Sequence, residues 1–292
     1  MRRTAPALTA TALVLALAPA AVAGDRPPRY VAMGDSYSAA SGVLPVVPTS
    51  PPQCLRSTRN YPHVLASRVE VRLRDVSCGA AETRDYFRSQ HDGVPPQLRA
   101  LGRRTRLVTM TIGGNDQGVF IDAILKCGTA GASTAGRGDP CREEYGRSFV
   151  RKIRDKTRPA VAHALRAVHR RAPRAQVAIL GYPWILPERR GCFERMPIAR
   201  GDVPYLRNIQ RVLNLVIRRS ARATGTTYVG FGRASEGHDA CRAVGVRWIE
   251  PVIGTTNPVV VHPNALGERR MARRTIRVLD LPGRSAGGIP LP

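Results

Sequence analysis

Apolar residues in this chain fall into two patterns. Short dense runs occur at Arg29–Met33, Leu107–Ile112, Gln176–Leu180 and Thr226–Phe231, and Val71–Ser77 alternates apolar with polar positions. Runs of this length, rich in β-branched residues and bounded by turn residues, predict strands buried in a parallel sheet. Between them, apolar residues recur at helical spacing. Helices are predicted from about Asn60 to Val69, briefly over Pro95–Leu101, from Glu143 to Arg171, over Tyr205–Ala221 and over Asn264–Val278. In the Glu143–Arg171 stretch, Phe149, Ile153, Val161, Leu165 and Val168 form the apolar side, and Pro159 kinks or divides the helix. Leu44–Pro52 is too rich in proline for a helix, and Gly128–Pro140 and Gly232–Asn257 read as loops. Strands alternating with helices predict a three-layer αβα fold around a central parallel five-stranded sheet. No linker divides it and no repeat is visible, so residues 24–292 are expected to form a single domain, with a tail from about residue 284.

The first residues follow a different rule. Arg2 and Arg3 precede an apolar run from Leu8 to Val22, and Ala21-Val22-Ala23 supplies a small-x-small site before Gly24. These are the three regions of a secretory signal peptide, expected over residues 1–23, and they predict a secreted, extracellular protein. An uncleaved anchor is the alternative. Export agrees with six cysteines, an even number. They allow fifteen pairings. Sequential pairing, Cys54–Cys78, Cys127–Cys141 and Cys192–Cys241, is favoured because each bridge then closes one long connection. No Cys-x-x-Cys spacing points to zinc.

Charge adds a question about partners. The formal charge is +25, with lysine only at Lys126, Lys152 and Lys156. Such a field favours contact with anionic surfaces. The arginines are spread along the whole chain, and aromatics are only 5% of it, so specific nucleic-acid binding is not expected.

Candidate chemistry lies where strands end. Tyr30–Met33 runs into Gly34-Asp35-Ser36, the second strand stops at Cys78-Gly79, and the third at Gly113-Gly114-Asn115-Asp116. In a parallel sheet all three turns share the carboxyl edge, where ligand sites gather. Ser36 there is a candidate nucleophile, although Asp35 or Ser36 as a plain helix cap explains the same residues. The backbone N–H groups of Ser36 and Gly79 and the Asn115 amide can converge on an oxyanion. For a base, His63, His163 and His169 fall on predicted helices, His91 and His238 in loops beside Asp92 and Asp239, and His262 in the turn before the last helix.

Taken together, these blocks resemble the SGNH, or GDSL, hydrolase family in its secreted bacterial lipase/esterase branch. Gly34-Asp35-Ser36, Gly79, Gly113-Gly114-Asn115-Asp116 and His262-Pro263-Asn264 with Gly267 match its four blocks in order. The resemblance covers essentially the whole mature chain, the six-cysteine arrangement included. It implies a flavodoxin-like fold and a serine esterase or lipase acting on acylglycerols, phospholipids or simple acyl esters. Ser36 would be the nucleophile and His262 the base, with an oxyanion hole of Ser36, Gly79 and Asn115. No metal or organic cofactor is implied, and a monomer is expected. One position departs from the family pattern: Val259 stands three residues before His262, where many members carry an aspartate. The main-chain carbonyl of Val259 is therefore expected to orient His262, with Asn257, Glu250 or Asp239 as alternatives. A carbohydrate O-acetyl esterase and a non-catalytic adhesion protein for anionic surfaces are the competing functions.

Overall fold

In the computed structural model, residues 30–282 are described. The expected signal peptide and the expected tail lie outside them. Five strands, β1 (Tyr30–Gly34), β2 (Leu73–Asp75), β3 (Leu107–Thr111), β4 (Gln176–Leu180) and β5 (Thr227–Val229), pair in parallel in the order β2-β1-β3-β4-β5. The reversal of strand order at β1 puts its carboxyl end at the topological switch point, where doubly wound sheets bind ligands. Every residue of β1 and β3 is buried, as their unbroken apolar character predicts for central strands.

Helices close both faces. One core contains Val31, Met33, Val108, Met110, Val177 and Ile179, covered by α6 (Arg158–Arg171) and α7 (Asp202–Arg222). The other contains Tyr30, Ala32, Leu107, Ala178 and Leu180, covered by α2 (Tyr61–Val69) and α8 (Ala265–Val278). Alternate residues of each strand thus feed opposite layers. The fold is the three-layer αβα arrangement.

Two expectations need revision. Residues Val119–Ser133 form a fifteen-residue helix, α3, which takes in Gly128 and Gly131 from the expected loop. A Cβ at Gly131 would meet the Pro197 carbonyl, so glycine here serves close packing rather than a turn. The predicted helix over Glu143–Arg171 is broken into α4 (Pro140–Tyr145), α5 (Ser148–Lys152), a π-helical turn (Ile153–Thr157) and α6. Pro159 lies in the first turn of α6, where its missing N–H costs nothing.

Cys54–Cys78, Cys127–Cys141 and Cys192–Cys241 are bonded, and no cysteine among the described residues is free. Each bridge ties a loop or helix on the carboxyl side of the sheet to its neighbour.

Candidate active site

The short helix α1 (Ser36–Ala39) starts the site. Gly34, the last residue of β1, has φ +119° and lies so close to β3 that a Cβ would run into the Thr111 backbone. Only glycine fits there. The buried Gln97 side chain holds both the N–H and the carbonyl of Gly34, at 2.7 and 3.0 Å. Asp35 caps α1, accepting from the Tyr37 N–H at 3.1 Å, and so fixes the turn as a cap should. It also accepts from Thr111 Oγ1 (2.6 Å) and from the Tyr182 hydroxyl (2.5 Å). Burial raises the Asp35 carboxyl to about 6, with the hydrogen bonds from Thr111, Tyr182 and Tyr37 opposing the rise.

His262 arrives from the far end of the sequence. Its Nε2 lies 2.7 Å from Ser36 Oγ, and both side chains are buried. Its Nδ1 lies 2.7 Å from the carbonyl of Val260. A carbonyl can only accept, so Nδ1 carries the proton and Nε2 is left to accept from the serine hydroxyl. Burial pushes the imidazole below its ordinary 6.5, partly offset by the Val260 bond, which keeps the ring neutral near pH 7.

The orienting carbonyl thus belongs to Val260, not to Val259. Between Val260 and His262, Val261 takes the left-handed φ of +59°, costly for a β-branched residue, and this turns the Val260 carbonyl onto the ring. Val261 is held there from both sides: its N–H donates to Glu250 O, and its carbonyl accepts from the Tyr37 hydroxyl at 2.9 Å. Val259 instead packs against Gly42. The alternative orienting groups are engaged elsewhere. Glu250 pairs with the buried Arg247, Asp239 accepts from the Cys241 N–H, and Asn257 donates to the Pro263 carbonyl.

The turns after β2 and β3 are locked together. Asp116 accepts from both the N–H and the hydroxyl of Thr83 (2.9 Å each), and Asn115 Nδ2 donates to Ala81 O at 3.1 Å, leaving its second N–H free to serve a ligand. Gly79, however, is not an available donor. The Cys54–Cys78 bridge draws the Cys54 segment alongside, and the Gly79 N–H donates to the Cys54 carbonyl at 2.9 Å. The next residue, Ala80, is exposed, sits at φ +59°, and its N–H has no hydrogen-bond partner among the described residues. The Ser36 N–H is likewise unpartnered. Nothing in the local sequence distinguishes Ala80 from its neighbours, and the only signal is the strained backbone.

One wall of the site is apolar. Phe120 packs edge-on to His262 (5.8 Å between centroids) and opens on its other side into a cavity lined by Ala123, Ile124, Met196, Ile198, Leu206 and Leu213. The cavity is narrow, with a volume of about 80 Å³, and it opens to solvent. Among the described residues no cluster of three His, Cys, Asp or Glu could hold a metal, and none of the other five histidines touches Ser36.

The GDSL-like Lipase/Acylhydrolase family matches residues 32–270. Lipase 2 of Streptomyces coelicolor is 58% identical over 254 residues, 86% of each chain. A lipase of Streptomyces rimosus is 31% identical, spanning 92% of this chain and 96% of its own. Among solved structures, phospholipase A1 of Streptomyces albidoflavus superposes with a TM-score of 0.70 at 26% identity, covering 87% of this chain and 98% of that one. The extracellular lipase of S. rimosus does so with a TM-score of 0.69 at 27% identity, covering 86% and 97%. The chain therefore belongs to the GDSL-like lipase/acylhydrolase family, and it is a carboxylic ester hydrolase.

Proposed function

We propose that this protein is a secreted lipase that cleaves medium- and long-chain acyl esters through a Ser36–His262 dyad. The observation that carries the reading is the 2.7 Å contact between His262 Nε2 and Ser36 Oγ, beside an apolar cavity that opens past Phe120. Ser36 Oγ attacks the acyl carbon as its proton passes to Nε2, and the Val260 carbonyl steadies the imidazolium through Nδ1–H. The carbon–oxygen bond to the alcohol then breaks, and Nε2 returns the proton to the leaving oxygen. Water, deprotonated by the same nitrogen, attacks the acyl-enzyme and releases the fatty acid and free Ser36.

The tetrahedral oxyanion is received by the Ser36 N–H, the Ala80 N–H and the second N–H of Asn115 Nδ2, with Ala80 taking the place expected of Gly79. Donors of this kind are worth about 3 kcal/mol each. The cavity takes the acyl chain: it is apolar, and each buried methylene contributes about 0.8 kcal/mol. Phospholipase activity of a structural relative is compatible with such a chain site. Three disulfides and the Arg2–Ala23 pattern support export, with Gly24 as the first mature residue.

Hydrolysis of p-nitrophenyl esters from acetate to palmitate, by wild type and Ser36→Ala, tests the reading. The expected result is turnover by wild type alone, with kcat/KM rising from acetate to at least octanoate. A profile that peaks at acetate would instead favour a glycan O-acetyl esterase, and a wild type inert on every chain length would overturn the proposed substrate class.

A further inference from the structure

A second concavity lies on the same sheet edge. It is bounded by Trp184 beyond β4, Arg233 beyond β5, Arg211 and Arg218 on α7, and Arg274 on α8, with Tyr228 of β5 in its wall. β5 stands three strands from β1, about 14 Å at ordinary strand spacing, so the recess is separate from Ser36.

Its chemistry is one-sided. Four arginines and no carboxylate line it, and none of the four is ion-paired among the described residues. Neighbouring arginines behave otherwise. Arg207, just outside, stacks on the Trp184 ring at 3.6 Å and pairs with Glu236 at 2.6 Å, and the buried Arg247 pairs with Glu250. The recess supplies its arginines with no such carboxylate.

Two features make the recess more than a patch of diffuse charge. Arg274 donates through Nε to the Gly230 carbonyl, which fixes the guanidinium and leaves its Nη groups for a ligand. Half-buried Tyr228 stands in the wall of the recess, and the charges of Arg218 and Arg274 bear on its hydroxyl. A protonated phenol beside several guanidinium forks is a donor set without an acceptor, which suits a tetrahedral oxyanion bound by several charge-assisted bonds. We propose that the recess of Arg211, Arg218, Arg233, Arg274 and Tyr228 is a binding site for a phosphate group, distinct from the hydrolytic centre.

A lipid headgroup and free phosphate both carry this group, and one experiment separates the two sources. Inorganic phosphate is titrated into the full chain by calorimetry, and co-sedimentation is measured with phosphatidylcholine vesicles containing or lacking phosphatidic acid. Two charge-matched double variants are compared: Arg218→Gln with Arg233→Gln, and, as control, Arg103→Gln with Arg104→Gln, which lie before β3 at the opposite edge of the sheet. The expected result is a loss of at least ~10-fold in phosphate affinity for the recess variant and less than twofold for the control. Turnover of a soluble ester should be unchanged in both. Selective loss of binding to phosphatidic acid vesicles assigns the group to a headgroup, and unchanged vesicle binding assigns it to soluble phosphate. Equal losses in both variants, or no phosphate binding by the wild type, would overturn the site.

Discussion

The two ends of one sheet edge are built on opposite electrostatic principles. Beyond β1 and β3, burial shifts the titratable groups toward their uncharged forms: His262 is pushed down, and Asp35 and Asp116 are each raised to about 6. Aromatic rings and an apolar cavity surround them. Beyond β4 and β5, four guanidiniums stand half-exposed or exposed without counter-charge. Proton transfer between a serine and an imidazole needs a neutral base in a dry setting, where donors aimed at a developing charge act most strongly. Capture of an anion from solution needs fixed charge that water can reach. Between the two ends lies the exit of β4, pinned by hydrogen bonds. Asn214 of α7 clamps the Tyr182 backbone, Gln210 of α7 holds the Pro183 carbonyl, Tyr182 reaches inward to Asp35, and Trp184 lines the recess.

The contrast breaks most sharply at the dyad. His262→Ala and Ser36→Ala should each lower kcat by ~10⁴-fold or more, and the double variant should be no worse than the poorer single, because the two side chains act as a unit. Steady-state kinetics on a soluble ester measures this. A loss of only about tenfold in His262→Ala would remove histidine from the mechanism. In the wild type, kcat/KM should fall on the acid side with a midpoint below 6.5, since the buried imidazole protonates only at lower pH.

Next in size is the oxyanion hole. Asn115→Ala should lower kcat by ~10²–10³-fold. The Ala80 donor can be removed without a side-chain change by placing lactic acid at position 80, which turns its amide into an ester. A loss of about tenfold or more in kcat is expected. Glycolic acid at position 79 should leave kcat within about twofold and cost ~1 kcal/mol of stability in urea, since it deletes only the bond to the Cys54 carbonyl. The reverse outcome would restore Gly79 as the donor.

Filling the apolar side tests whether the cavity holds the acyl chain. Ile124 is half-buried on α3 and lines the cavity, so Ile124→Trp should exclude two or three methylenes without disturbing the sheet. The octanoate-to-acetate ratio of kcat/KM should drop by ~30-fold. An unchanged ratio would place the chain elsewhere.

Legibility in the sequence followed the same divide. β1, β3 and β4, with their continuous apolar runs, could be read to within a residue, and Ser36, Asn115 and His262 are marked by turns at strand and helix ends. What escaped was set by tertiary contact. Gly79 carries the expected residue type, yet the Cys54 carbonyl drawn in by a disulfide consumes its N–H. Val260 displaces Val259 because Val261 adopts a conformation that no propensity predicts. α3 was hidden by Gly128 and Gly131, residues that disfavour helices but allow close packing. The arginines of the recess come from α7, α8 and the chain after β5, and no spacing along the sequence joins them.

Another buried acid lies behind the dyad, and its effect falls on stability rather than on turnover. Glu268 on α8 is fully buried, its Oε2 accepts from the Tyr61 N–H at 2.6 Å, and its Oε1 has no partner among the described residues. Burial pushes its carboxyl well above 4.5, with Asp75 and Asp35 adding to the rise and the Tyr61 bond opposing it. The folded state therefore holds a proton that the unfolded chain releases above 4.5. Stability is fully present below that pH and declines as pH rises toward the folded value. A single such group gives a slope of up to ~1.4 kcal/mol per pH unit. Glu268→Gln keeps the shape and the acceptor for Tyr61 but cannot ionise, so its urea midpoint should decline less than that of the wild type between pH 5 and 8. Parallel declines would mean that Glu268 is charged in the folded protein. In that case the shift toward uncharged forms on the β1 side would be confined to Asp35, Asp116 and His262.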